Sequence, residues 1–124
     1  MKFSEDSSTR NRLITHYDAE SITLDEQQYR HSIIVSDEHS PQRWEAGLSF
    51  TTLTTAALEP LLALKPEIIL LGTGSRQYFM PPQLMHHILS AGIGCEVMST
   101  AAACRTFNII VGEGRHVAAG LIID

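Results

Sequence analysis

The chain has 124 residues, of which 44% are hydrophobic and 19% charged, with a formal net charge of −5 at pH 7. This length suits one domain that buries a core without disulfides. The nine basic residues are scattered and are outnumbered by fourteen acidic ones. Nucleic acid and anionic membrane surfaces are therefore excluded as main partners, because both require clustered Lys and Arg.

The N-terminal segment and the cysteines indicate a cytoplasmic protein. Residues 1–10 are polar, so we predict a flexible tail there, with neither a secretory signal nor a transit peptide. A single domain is predicted over residues 11–124. Cys95 and Cys104 lack the C-x-x-C spacing of a zinc or redox site, so we expect reduced thiols. No apolar stretch approaches the ~20 residues of a membrane span, so the protein is not expected to insert into a membrane.

Short apolar runs in the first third predict an antiparallel meander of three strands, over residues 13–17, 21–24 and 29–35. Residues 36–43 are polar and predict a loop. Thr54 or Thr55 is expected to cap a helix that runs to about residue 64. Pro60 would remove one of its hydrogen bonds, unless the helix begins later.

The remainder alternates between strands and helices. Residues 67–71 form a continuous apolar run typical of a central strand, and Pro81-Pro82 opens a helix that Gly92 closes. With a strand at 94–98, these elements form a βαβ unit. A third helix, capped by Ser99 or Thr100, ends at Gly112. The last strand, 117–123, is predicted to run antiparallel to its neighbours or to lie at a sheet edge. The predicted fold is a three-layer α/β domain with a central mixed sheet.

Gly72-Thr73-Gly74 directly follows the central strand, at the sheet end where open α/β sheets bind ligands. Glycines let a backbone approach a ligand closely, and consecutive amides can bind an anion. The alternative is a tight turn that requires positive φ. The sequence favours neither the ligand loop nor the turn over the other. The dinucleotide fingerprint and the P-loop are both absent.

The helix start at Thr100 presents free amides to the same sheet end. Arg105 and Asn108 share one face of that helix, so a guanidinium and an amide are available to a carboxylate or phosphate. Arg115 is the second arginine assigned to this tentative ligand site. The alternative is that Arg105 pairs with a neighbouring acid and that Asn108 caps a loop.

Cys104 is the one candidate nucleophile, because a helix start and an adjacent arginine both lower the pKa of a thiol. Buried free cysteines are, however, usually small core residues, and we favour that role. His86 and His87 are adjacent on a helix and cannot share a ligand face. We therefore assign no catalytic residue, no metal and no cofactor.

Three motifs occur in order in the second half of the chain. The first is Leu70-Leu71-Gly72-Thr73-Gly74. The second begins at Met98, ends at Asn108 and contains Thr100 and Ala103-Cys104-Arg105-Thr106-Phe107. The third is Glu113-Gly114-Arg115 with Val117-Ala118-Ala119. With them the chain resembles a family of small, largely uncharacterised domains of proteobacteria. That family includes a mitochondrial respiratory complex I assembly factor and an adipogenesis-associated human domain protein.

The resemblance runs over about residues 11–124 and implies a three-layer α/β fold with a mixed sheet. It implies no established catalytic activity and no known role for any motif residue. We therefore expect a bacterial, cytoplasmic protein that acts as a non-enzymatic interaction or assembly-factor-like module. Its partner would be another protein or a respiratory or membrane complex. The alternative is a binder or enzyme for a small anionic ligand that uses Gly72–Gly74, the Thr100 helix start and Arg105.

Overall fold

The computed structural model describes residues 13–45 and 49–124, and the expected flexible tail at 1–10 lies outside them. The described chain contains strands and helices in an order that broadly follows the hydrophobic pattern. In chain order they are β1 (Ile14–Tyr17), β2 (Ile22–Leu24), β3 (Gln27–Tyr29), β4 (Ile33–Ser36), β5 (Gln42–Arg43), α1 (Thr55–Leu62), β6 (Ile68–Gly72), α2 (Pro82–Leu89), β7 (Gly94–Met98), α3 (Thr100–Gly112) and β8 (Val117–Leu121).

The predicted meander is confirmed as a small antiparallel sheet, but its third strand shares only Tyr29 with the predicted range. Asp25 and Glu26 adopt φ values of 54° and 65°, and Leu24 pairs with Gln27 across them. This is a two-residue hairpin turn, which places β3 at 27–29. The apolar half of the expected strand enters the other sheet as β4, which also takes in Ser36 from the predicted loop. The polar loop predicted at 36–43 also contributes a short strand, β5, which pairs with β4.

The main sheet has five strands in the order β5-β4-β8-β6-β7. The last strand corrects the prediction, because β8 lies in the middle of the sheet, parallel to β6 and antiparallel only to β4. The helix α3 already returns the chain to the starting end of the sheet, so the short turn after it sends β8 in the direction of β6 and β7.

The three-layer arrangement is confirmed by two separate cores, one on each face of the main sheet. Helix α3 and the β1–β3 sheet cover one face, and α1, α2 and a 3-10 turn (Phe50–Thr52) cover the other. Alternation within each strand assigns its residues to the two cores. In β6, for example, Leu70 packs towards α3, whereas Ile69 and Leu71 pack towards α1 and α2.

The helix starts agree with the capping signals. The Thr54 side chain accepts the Ala57 N–H at 3.3 Å, and α1 begins at Thr55 with Pro60 inside it. The helix therefore does not begin later, because the burial of its leucines outweighs one missing hydrogen bond. At α3 the cap is Ser99, whose side chain accepts the Ala102 N–H, so Thr100 is the first helical residue.

Gly120 allows the tightest approach to the main sheet. A Cβ atom built there would lie 2.7 Å from Cη2 and Cζ3 of Trp44. The indole of Trp44 is fully buried, and its Nε1–H donates to the Ala57 carbonyl at 2.9 Å. Because this bond holds the ring in place, the indole cannot move aside for a methyl group.

We expect Gly120→Ala to lower the free energy of unfolding by about 1–3 kcal/mol, the usual cost of overpacking a core. Thermal unfolding followed by circular dichroism measures this. Gly112→Ala is the matched control, because no atom lies within 4 Å of the Cβ that it would add. A Gly120→Ala protein that melts at the parent temperature would contradict this packing.

Candidate functional site

The glycine segment, the start of α3 and the residues after β8 meet at the carboxyl end of the parallel strands. Gly72 pairs in register with Met98 of β7 and with Leu121 of β8. A Cβ on Gly72 would lie 2.8 Å from Thr100 Oγ1 and 2.9 Å from Thr100 Cα. Gly72 is therefore required by the close approach of α3. We call this region, residues 72–75, 99–101 and 122–124, the glycine corner.

Several backbone amides of the glycine corner donate to acceptors within the protein. The Thr73 N–H donates to the Met98 carbonyl at 2.8 Å, and the Gly74 N–H donates to Thr100 Oγ1 at 2.9 Å. The Thr100 N–H returns a hydrogen bond to the Gly74 carbonyl at 2.9 Å. The Thr100 hydroxyl then donates to the Ile122 carbonyl at 2.7 Å. These groups join the strand ends to one another.

A carboxylate of the chain itself accepts from the backbone amide that follows the predicted anion-binding glycines. The Ser75 N–H donates to Asp124 Oδ1 at 3.1 Å, and the Ser75 hydroxyl lies 3.4 Å from Oδ2. Gly74 has a φ of 102°, and a Cβ there would lie 2.5 Å from Asp124 Oδ2. Gly74 therefore has the positive φ that the tight-turn alternative requires, and the turn also accommodates the Asp124 side chain.

An open cleft of about 280 Å³ lies beside the glycine corner. Two carboxylates, Asp18 and Asp124, line it together with Tyr17. Hydrogen bonds from the backbone amides of Glu20 and Ser21 lower the pKa of Asp18, so this carboxylate is ionised at neutral pH. A cleft with two negative charges disfavours a small anion.

The structure places the predicted polar side chains apart from one another. The Arg105 Nη1 donates to the Tyr17 hydroxyl at 3.2 Å, at the rim of the cleft. Asn108 pairs with the backbone of Ile14, donating to its carbonyl and accepting from its N–H, both at 2.8 Å. Asn108 therefore holds β1 against α3.

Arg115 lies at the opposite end of the main sheet, which corrects its assignment to the same site. Val117, two residues further on, pairs with Ile68, and this pair is about 13 Å along the strand from Gly72. Arg115 forms ion pairs with Glu67 at 3.5 Å and Glu113 at 3.8 Å. The glycine corner therefore does not include it.

Sequence reasoning missed Tyr17, Asp18 and Asp124. Asp18 carries a recognisable signal, because its Oδ1 accepts the N–H groups of Glu20 and Ser21, which are typical contacts of an aspartate-initiated turn. Asp124 lies 49 residues from Ser75 in the chain. No local pattern could therefore have indicated that contact.

Both thiols are protected by their surroundings. Burial raises the pKa of Cys104 to about 12, although the neighbouring Arg105 lowers it in part. Burial, with a smaller contribution from the charge of Glu96, raises the pKa of Cys95 to about 11. Cys104 is fully buried and packs within the α3 core, so it is a core residue.

We expect neither thiol to react rapidly with iodoacetamide at pH 8 in the folded protein. At this pH a thiol with a raised pKa is protonated. With a pKa of about 11, only about one Cys95 side chain in a thousand would be a thiolate. Mass spectrometry after timed labelling measures the reaction, with the urea-unfolded chain as control, where both thiols should react. Rapid stoichiometric labelling of the folded protein would contradict this prediction.

We expect Thr100→Val to destabilise the fold by at least about 2 kcal/mol, because the Gly74 N–H and the Ile122 carbonyl both lose their partner. Thr100→Ser is the matched control, since it retains the hydroxyl and removes only a methyl group. Urea unfolding of both proteins tests this. Equal stabilities of the two variants would show that the hydroxyl does not hold the corner.

A family model described as "Protein of unknown function (DUF498/DUF598)" matches residues 14–122. The chain is 32% identical over 95 residues to a "13 kDa major membrane protein" of Francisella tularensis, covering 77% of each. Among residues 13–45 and 49–124, no helix combines the length and apolar character needed to cross a membrane.

A second relative is the "NADH dehydrogenase [ubiquinone] 1 alpha subcomplex assembly factor 3" of Xenopus tropicalis, 37% identical over 82 residues. The match covers 64% of this chain and 44% of the relative, so the chain spans less than half the length of that assembly factor.

Solved structures agree with the fold. A crystal structure of a Bordetella parapertussis protein superposes with a TM-score of 0.85 at 32% identity, covering 91% of this chain and 96% of the other. A Bordetella pertussis protein described as "a Mth938-like domain" gives a TM-score of 0.82 at 27% identity, with coverages of 94% and 88%. The chain belongs to the DUF498/DUF598 family of proteins of unknown function and has the Mth938-like fold.

Proposed function

We propose that this protein is a non-enzymatic interaction module that helps to assemble a respiratory or other membrane complex through protein contacts. Relatives named as assembly factors for NADH dehydrogenase support this proposal, among them the human protein, at 36% identity over 86 residues. The match covers 46% of that protein, so the similarity concerns the domain described above and not the rest of the relative.

The observation that carries the proposal is the exposure of Phe79. Its side chain is 96% exposed, on the segment between β6 and α2. The preceding residue, Tyr78, stacks on Phe50 with ring centroids 6.4 Å apart, and the Thr73 hydroxyl donates to the Arg76 carbonyl. These contacts hold the segment while its aromatic ring faces solvent. Exposed aromatic side chains on an ordered segment are typical anchors of protein interfaces.

The chemistry of the glycine corner also favours binding over catalysis. The Gly74 amide and the Thr100 hydroxyl take part in hydrogen bonds that join the strands, and Cys104 is buried with a raised pKa. The anion-binding alternative has less support, because Asp124 already binds the Ser75 amide.

We propose a cytoplasmic location for this module, with contact to a membrane complex made through protein surfaces. The net charge of −5 opposes direct adsorption to anionic lipid or to nucleic acid. The charge of the chain therefore favours a protein partner.

Deletion of the gene in a host with a multisubunit NADH dehydrogenase should lower the amount of assembled enzyme several-fold on native gels. The parent protein should restore that amount, and Phe79→Ser should not, because the anchor ring is lost. Leu89→Ser is the matched control, since Leu89 is also an exposed apolar residue, at 52%, and should restore assembly fully.

An unchanged amount of assembled enzyme after deletion would contradict the assembly role. Full restoration by Phe79→Ser would instead contradict the role of this side chain alone. Thermal unfolding of both variants checks that they are folded, and fractionation of the cells tests the cytoplasmic location.

A further inference from the structure

We propose that Asp37, Glu38 and His116 form a binding site for a divalent first-row transition-metal ion. The three residues lie at the sheet end opposite the glycine corner, where β4 finishes and β8 begins. Each offers one ligand atom, and these atoms lie no more than 4.8 Å apart. The inference is independent of the assembly role proposed above.

The spacing of the ligand atoms suits a metal ion. His116 Nδ1 lies 2.9 Å from Asp37 Oδ2 and 3.6 Å from Glu38 Oε2. Ligands that surround zinc at ~2.1 Å are separated by about 3.0 Å in an octahedral shell and about 3.4 Å in a tetrahedral one. Rotation of the Glu38 side chain, which is 45% exposed, can supply the remaining adjustment.

The Asp37 carboxylate is held in position by the sheet. Its side chain is only 7% exposed, and Oδ1 accepts the Val117 N–H at 2.9 Å. The Asp37 N–H in turn donates to the Val117 carbonyl at 3.2 Å. These contacts leave Oδ2 directed at His116. Fixed ligands of this kind are typical of metal sites, because outer hydrogen bonds orient the coordinating oxygen.

The charges of the described residues around the cluster favour a cation. Two carboxylates converge on one imidazole nitrogen, and a single N–H cannot donate fully to both. The nearby Arg115 pairs with Glu67 and Glu113. A doubly charged ion between Asp37 and Glu38 would neutralise both carboxylates at once.

The donor set indicates the class of metal. One imidazole nitrogen and two carboxylate oxygens suit Zn²⁺, Co²⁺ or Mn²⁺, whereas Mg²⁺ and Ca²⁺ prefer oxygen ligands alone. Three protein ligands are fewer than the roughly four to six that these ions take, so water would complete the coordination. The sequence could not indicate this site, because His116 lies 79 residues from Asp37.

Titration calorimetry of the tag-free full chain with ZnCl₂ tests the proposal, and Co²⁺ absorption reports the coordination. We expect one ion per chain and binding of Mg²⁺ that is weaker by at least about a hundredfold. Glu38→Gln and His116→Asn should each weaken Zn²⁺ binding about tenfold or more. His87→Asn is the matched control, because His87 contacts a single carboxylate, Glu59, at 2.9 Å, and should bind Zn²⁺ as the parent does.

Absence of binding heat with Zn²⁺ would overturn the proposal. So would Zn²⁺ binding that is unchanged by Glu38→Gln, or a His87→Asn protein that loses Zn²⁺ as strongly as His116→Asn. Glu38 is half-exposed, so Glu38→Gln tests the site even if His116→Asn does not fold. Thermal unfolding without metal verifies that each variant is folded.

Discussion

The architecture depends on one hydroxyl group, that of Thr100. It accepts the Gly74 N–H and donates to the Ile122 carbonyl, so one buried oxygen joins the end of β6, the start of α3 and the segment after β8. Gly72 permits this, because it has no side chain. A Cβ atom on Gly72 would lie only 2.9 Å from the Cα atom of Thr100, where α3 begins. Without the hydroxyl, two buried backbone groups would lack a partner, which costs more than the hydrogen bonds themselves contribute.

This role of Thr100 changes how the small and polar residues around it are interpreted, from a ligand site to a structural contact. Glycines after a central strand and a capped helix start are features of ligand sites, but here they allow the strand ends to meet. Asp124 completes the corner by placing its carboxylate against the Ser75 amide. These glycines and hydrogen-bonding groups therefore join the strand ends of the sheet. The open surface beside them is negatively charged, because Asp18 and Asp124 line it.

Much of the fold follows from local patterns, whereas the sites depend on distant contacts. Three features could be predicted from the sequence: the apolar run of β6, Gly92 after α2 and the Ser99 cap of α3. Each of these signals lies within a few residues of the structure that it specifies. The direction of β8 could not be predicted from its own residues, because it depends on the reversal of the chain by α3. The contacts of Asn108 with Ile14, 94 residues away, and of His116 with Asp37 have no counterpart in the local sequence. For the same reason the sequence does not indicate that Arg115 lies at the opposite sheet end.

The residues that carry the resemblance to the assembly factors mostly face inward. Gly72, Thr100 and Cys104 close or fill the interior, and Asn108 fastens β1 to α3. Such residues account for a shared fold and leave function to the surface, since one fold can present different sites. Both proposed binding roles rest instead on side chains away from the glycine corner, the solvent-facing ring of Phe79 and the cluster of Asp37, Glu38 and His116. We assign neither role to the glycine corner, because its Gly74 amide and Thr100 hydroxyl already join the strand ends within the fold.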